Sequence, residues 1–152
     1  MGGFLFFVSC FVILLQKEGL YMVVIERLES WLRDVIGNKH IIQWGEWYAF
    51  SEDTKSAFAA ITQVGGRARA DDLRWPHFMV TIVSSAPSAS VSIKQAQTDI
   101  ISKMDGIMKK AQDLPDTCLM LKVNPVGEVV GPMLTQSNRI VATVTLEVIT
   151  TN

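Results

Sequence analysis

His40 and His77 are the only histidines in the chain, and a search for chemistry begins with them because imidazole titrates near neutrality without help from its surroundings. Neither has a Cys, Asp or Glu beside it at the spacing a metal site needs, and each reads as an ordinary strand-edge residue. Cys10 and Cys118 stand far apart and supply neither a disulfide framework nor a zinc pattern. Cys118 sits in an apolar stretch, where a lone thiol behaves as a small buried hydrophobe, and no histidine accompanies it as a base. Gly65-Gly66-Arg67 has the glycines of a phosphate cradle but not the Lys-Ser/Thr and helix start that would complete one, so turn chemistry accounts for it better. Asp71 and Asp72 are adjacent in a polar run, where Arg69 and Arg74 keep both carboxylates ionised and poorly suited to general acid work. The residue types therefore assign no catalytic residue, no metal ligand, no cofactor and no small-molecule substrate.

At 152 residues the chain fits one domain with a sizeable core. A net charge of −1 lacks the basic stripe of a nucleic-acid-binding domain. The cysteine usage permits a reducing cytoplasm.

The elements follow from periodicity. Ile25, Leu28, Leu32, Val35 and Ile36 recur at helical spacing, with Glu26, Arg27, Glu29, Arg33 and Asp34 on the other face and a stop at Gly37-Asn38. Residues 39–50 favour a strand bent or bulged near Gly45, and Ala57 to Val64 a second strand ending at Gly65-Gly66. Residues 66–74 have no apolar periodicity and read as an exposed loop closed by Trp75-Pro76. Phe78 to Val83 then forms an apolar strand. After a Ser/Ala/Pro loop, Ile93, Ala96, Ile100, Met104 and Ile107 trace a second helix, ended by Leu114-Pro115-Asp116. Cys118 to Val123, Glu128 to Met133 and Arg139 to Ile149 complete the strands, and the last alternates apolar residues with Thr and Glu. The pattern predicts an α+β fold with a mainly antiparallel sheet and both helices packed on one face.

The N-terminal join admits several readings. Phe4 to Leu15 is apolar but shorter than the roughly 20 residues of a membrane-spanning helix. It also lacks the basic start and cleavage site of a secretory signal. Lys17-Glu18-Gly19 can be encoded by a purine-rich bacterial ribosome-binding sequence two codons ahead of Met22. The expectation is that residues 1–21 are a translated leader or apolar extension and that residues 22–152 form the α+β domain. A buried N-terminal strand or helix is the remaining reading.

Trp44, Trp47, Tyr48 and Phe50 form the densest aromatic cluster, and strand alternation turns Trp47 away from the even-numbered members. At least one large ring therefore faces away from the main core. It either builds a second apolar layer or anchors a subunit interface.

From Met22 to Asn152 the chain resembles bacteriophage tail terminator proteins, also called tail completion or minor tail proteins. The resemblance rests on the amphipathic opening helix, on Phe58-Ala59-Ala60-Ile61-Thr62-Gln63-Val64-Gly65-Gly66-Arg67, and on Arg74-Trp75-Pro76-His77-Phe78-Met79-Val80-Thr81-Ile82-Val83. A helix from Ser92 to Gln112 and a closing strand introduced by Asn138-Arg139 complete it. It implies a non-catalytic virion protein of the head-tail junction, assembled in the host cytoplasm. Its partners would be further copies in a homohexameric ring, the tail tube protein and the head-tail connector, with DNA passing through the lumen without sequence-specific binding. A ring subunit needs two different patches for its neighbours. Arg67, Arg69, Asp71, Asp72 and Arg74, with Trp44, Trp47 and Tyr48, are the candidates for an interface or the lumen. Two other classes remain open: a domain tethered to a membrane by residues 4–15, and a small-ligand binding or regulatory domain with Gly65-Gly66 and the aromatics lining a pocket.

Overall fold

The computed structural model describes residues 19–45, 55–68, 74–113 and 120–150. The elements run α1 (Gly19–Ile36), β1 (His40–Trp44), β2 (Ala57–Ala68), β3 (Arg74–Val83), α2 (Ile93–Asp113), β4 (Met120–Pro125), β5 (Val130–Leu134) and β6 (Ile140–Thr150).

Both helices form where local sequence and burial agree. Leu28, Trp31, Leu32 and Ile36 recur at spacings of three and four along α1 and are all buried. Glu29 and Arg33, one turn apart on the polar side, pair at 3.0 Å. Gly37 ends the helix with φ +81°, and its N–H donates to the Arg33 carbonyl at 2.8 Å, the left-handed cap a glycine adopts most readily. α2 starts on a reciprocal cap: the Gln95 N–H donates to Ser92 Oγ at 3.2 Å, and the Ser92 N–H donates to Gln95 Oε1 at 2.9 Å. Its buried stripe is Ile100, Met104, Ile107 and Ala111. The helices meet at Gly106, where a Cβ would lie 3.1 Å from Val35 Cγ1, so the small residue permits the approach.

The six strands form one mixed sheet in the order β1-β2-β3-β6-β4, with β5 also on β6. Only β1 and β2 pair in parallel; the other pairs are antiparallel. β6 is the spine, flanked by β3 on one side and by β4 and then β5, end to end, on the other. Alternation sends Ala59, Ile61, Phe78, Val80, Ile82, Val123, Ala142, Val144, Leu146 and Val148 into one cluster with the apolar stripes of both helices. The expected α+β architecture, with both helices on one sheet face, is therefore the observed one. Each fully buried Leu, Ile or Phe in this layer contributes about 1.5–3 kcal/mol of transfer free energy.

Several boundaries differ from expectation. The first helix begins at Gly19, three residues before Met22. β1 is described to Trp44, and at Gly45 the backbone has φ +96°, its N–H donates to the Ile61 carbonyl at 2.9 Å and its own carbonyl accepts the Thr62 hydroxyl at 2.7 Å; residues 46–50 of the expected strand lie outside the described residues. Gly65-Gly66 is no turn. β2 passes through it by a register shift between Gln63 and Gly65 and continues to Ala68. Within the stretch read as a loop over residues 66–74, Gly66 to Ala68 and Arg74 are therefore strand, and residues 69–73 lie outside the described residues. Arg67 pairs with Trp75 and Ala68 with Arg74, and Pro76 is accommodated opposite Gly66. A Cβ on Gly66 would lie 2.7 Å from the Trp75 carbonyl oxygen, so close backbone approach explains the glycine.

Candidate subunit interface

The sheet face away from the helices is mixed: it carries Thr81, Thr143, His77 and Glu147, and also Phe58, Ala60 and Val83, which are buried. Thr81 and Thr143 pair across β3 and β6 with their hydroxyls 3.2 Å apart, and His77 Nε2 lies 2.8 Å from Glu147 Oε2. His77 is accordingly an interior-strand residue and not a strand-edge one. His40 does open an edge strand, but its side chain is buried under the helices and its Nε2 lies 3.5 Å from Lys103 Nζ. Burial lowers the His40 pKa to about 4, with the Lys103 charge adding to the shift and Asp99 opposing it. This imidazole is a neutral structural group at physiological pH.

Arg139 closes one end of the bare face. Its Nε donates to the Ser84 carbonyl at 2.8 Å, its Nη2 donates to the Ser56 carbonyl, and its guanidinium carbon stands 5.3 Å from the centre of the Phe58 ring. Ser84 answers in kind, since its Oγ accepts the Ile140 N–H at 2.9 Å. A fully buried cation thus joins the segment before β2, the exit of β3 and the start of β6. Burial also lowers the Arg139 pKa from its usual high value. Nothing in the residue pattern singled Arg139 out, because its partners are main-chain carbonyls 55 and 83 positions away in sequence.

The candidate interface residues separate into three groups. Trp44 ends β1; its indole N–H donates to Glu29 Oε2 at 3.1 Å, and its ring meets Phe78 edge-on at 6.3 Å. That hydrogen bond leads in holding the Glu29 carboxyl below its usual range, with Arg33 assisting and burial opposing. Arg67 and Arg74 lie on the two strands of the β2–β3 hairpin, near its tip. Arg69, Asp71, Asp72, Trp47 and Tyr48 lie outside the described residues. Trp44 is level with Ile61, and Arg67 is six residues further along β2, about 20 Å at strand rise. Trp44 and the arginine hairpin are therefore separate regions.

The residue-type search missed a different pattern. Among the described residues, six of the nine exposed large apolar side chains lie on the two edges of the sheet: Ile41 and Trp44 on β1, and Val126, Val130, Met133 and Leu134 on the β4–β5 edge. β1 carries no Lys, Arg, Asp or Glu, and neither does β5. Natural sheets usually protect such edges with charge. The signal was present in the uncharged run Val129 to Thr135, but nothing local distinguishes an edge strand from a buried one. Among the described residues no three His, Cys, Asp or Glu side chains converge as a metal set. No described helix is long and apolar enough to cross a membrane.

The fold and its edges define an α+β subunit with one helix-covered sheet face and two sheet edges whose strands β1 and β5 carry no charged side chain. A family model described as phage tail termination protein matches residues 21–152, and the chain belongs to that family. No curated protein matches it. Membership makes the protein a structural component of the phage virion with a role in ending the tail, a role that involves contact with other tail or head proteins.

Proposed function

We propose that copies of this protein assemble head to tail into a homohexameric ring that caps the tail tube and joins it to the head connector. The observation carrying this reading is the pair of unlike, partly apolar edge strands, β1 and β5, which carry no charge and lie on opposite sides of one sheet. Closed rings of identical subunits need two different patches per subunit, whereas an isologous dimer needs one patch used twice. In this reading the β2–β3 hairpin, with Arg67 and Arg74 on its strands, and the charged residues Arg69, Asp71 and Asp72 between them in sequence, face a neighbouring copy or the lumen through which DNA passes. Exposed ion pairs there contribute at most about 1 kcal/mol each, so their value lies in orientation. Assembly takes place in the host cytoplasm, and the protein performs no catalysis.

Size exclusion with light scattering and electron microscopy of the purified full chain test the proposal. Closed rings are expected, alone or on addition of tail tubes, and a species that stays monomeric at all concentrations and leaves tubes uncapped overturns it. Reversing Arg69 or Arg74 to Glu should lower ring yield while the monomer stays folded by circular dichroism.

A further inference from the structure

The two edges are matched in direction, level and chemistry. β1 runs parallel to β2, β2 opposite to β3, β3 opposite to β6, and β6 opposite to β5. β1 and β5 therefore point in opposite senses across the sheet, and a neighbour's β1 laid beside β5 with the same face outward makes an antiparallel pair. The registers also place the edges at one height. Ile41, Phe58, Val83, Val141 and Met133 form one continuous row, and Gln43, Ala60, Thr81, Thr143 and Val130 form another. Ile41 at 42% and Met133 at 52% exposure stand at the two ends of the first row, both on the face away from the helices. A head-to-tail contact closes into a ring when it needs rotation alone and runs on as a filament when it adds a rise. The shared rows set which residues of the two edges stand opposite one another when a neighbour's β1 is laid beside β5.

We infer that the ring contact is edge-to-edge β-pairing between β1 of one copy and β5 of the next, with Ile41 set against Met133 and Gln43 against Val130. This rests on the ring reading above and names its interface. The occupant is a second copy because each edge supplies what the other lacks. Two β5 strands laid against one another bring their Pro132 residues together, and proline has no N–H for the pairing. β1 has no proline, so none of the N–H groups on its outward side, every second one along the strand, is missing.

Cross-linking in the full chain tests the register. The double variants Ile41→Cys/Met133→Cys and Gln43→Cys/Val130→Cys should each give, on mild oxidation, a ladder of covalent multimers ending at the size of the ring. The four single variants, which report any bridge to Cys10 or Cys118, should give none. Antiparallel neighbours have Cβ atoms about 4.5–5.5 Å apart, close enough for a disulfide after small adjustment. Rings in the unmodified protein without a ladder from either double variant overturn the edge pairing and leave the ring reading standing. A dimer alone from Ile41→Cys/Gln43→Cys, the pattern of a symmetric β1–β1 contact, overturns it as well. A monomeric unmodified protein sinks the ring reading and this inference together. The positions are exposed, so folding is expected throughout, and circular dichroism of each variant confirms it.

Discussion

The centre of the sheet and its edges obey different rules. In β6, Ala142, Val144, Leu146 and Val148 are buried beneath the helices, while Thr143 and Thr145 alternate with them on the bare face. Burial there is decided within the chain, and each side chain has a fixed neighbourhood. At the edges, Ile41 and Trp44 on β1 and Val130, Met133 and Leu134 on β5 are as apolar but remain exposed. The difference separates residues that stabilise the subunit from residues that have only assembly left to serve. Exposed apolar edges are hazards for a free monomer, and their retention without protecting charge is intelligible when another strand covers them.

Substitutions at the two regions should therefore fail in opposite ways. Phe78→Ala removes a fully buried ring at the centre of the helix-covered layer and should cost about 3–5 kcal/mol in urea unfolding. A loss under 1 kcal/mol would show the centre to be far more plastic than its burial suggests. Arg139→Met keeps bulk but removes the donors to the Ser84 and Ser56 carbonyls, and about 2–4 kcal/mol net should go with them, because two charged hydrogen bonds of roughly 1.5–3 kcal/mol each are lost while the cost of burying the cation is relieved. Gly66→Ala drives a methyl toward the Trp75 carbonyl and should cost about 1–3 kcal/mol while loosening the β2–β3 hairpin. Amide exchange there would report the loosening.

Acid should act on the β1 end of the helix-covered layer. The folded-state pKa of His40, about 4, lies below its ordinary value of 6.5. The unfolded chain therefore binds the proton more readily, and the contribution of His40 is complete above pH 6.5 and lost as pH falls toward 4. His40→Phe should flatten stability across that window, and an unchanged slope would place the acid sensitivity elsewhere. Ile41→Lys and Met133→Lys should have the smallest effect on folding, within about 0.5 kcal/mol as is usual for exposed sites, yet abolish ring assembly. Loss of monomer stability from either would erase the distinction between centre and edge.

The legible parts of the molecule were those with local causes. The spacing of Leu28, Leu32 and Ile36 and the Gly37 stop produced α1, and the alternation from Ile140 to Val148 correctly divided β6 into a buried and a polar face. Gly65-Gly66 misled because glycine marks both turns and bulges. Only the pairing of Gly66 with Pro76 across the hairpin shows which one applies. The polar run around Arg67 and Arg74 read as loop for a related reason, since a hairpin extending past the core needs no apolar periodicity. Of the candidate site, Trp44 lies on the helix-covered face with its ring against Phe78, and neither that contact nor its bond to Glu29, which links two elements, was legible in the sequence.

Sequence by itself determined the secondary elements, the α+β class and the family resemblance, because periodicity, capping and composition act over a few residues at a time. Tertiary structure decided which strands became edges, that Arg139 would be buried on main-chain carbonyls, and that Ile41 and Met133 would end the same row of the sheet. Strand order and register depend on pairings between residues tens of positions apart. No local pattern encodes which neighbour a strand will find, so the two edges become visible only once the sheet is assembled.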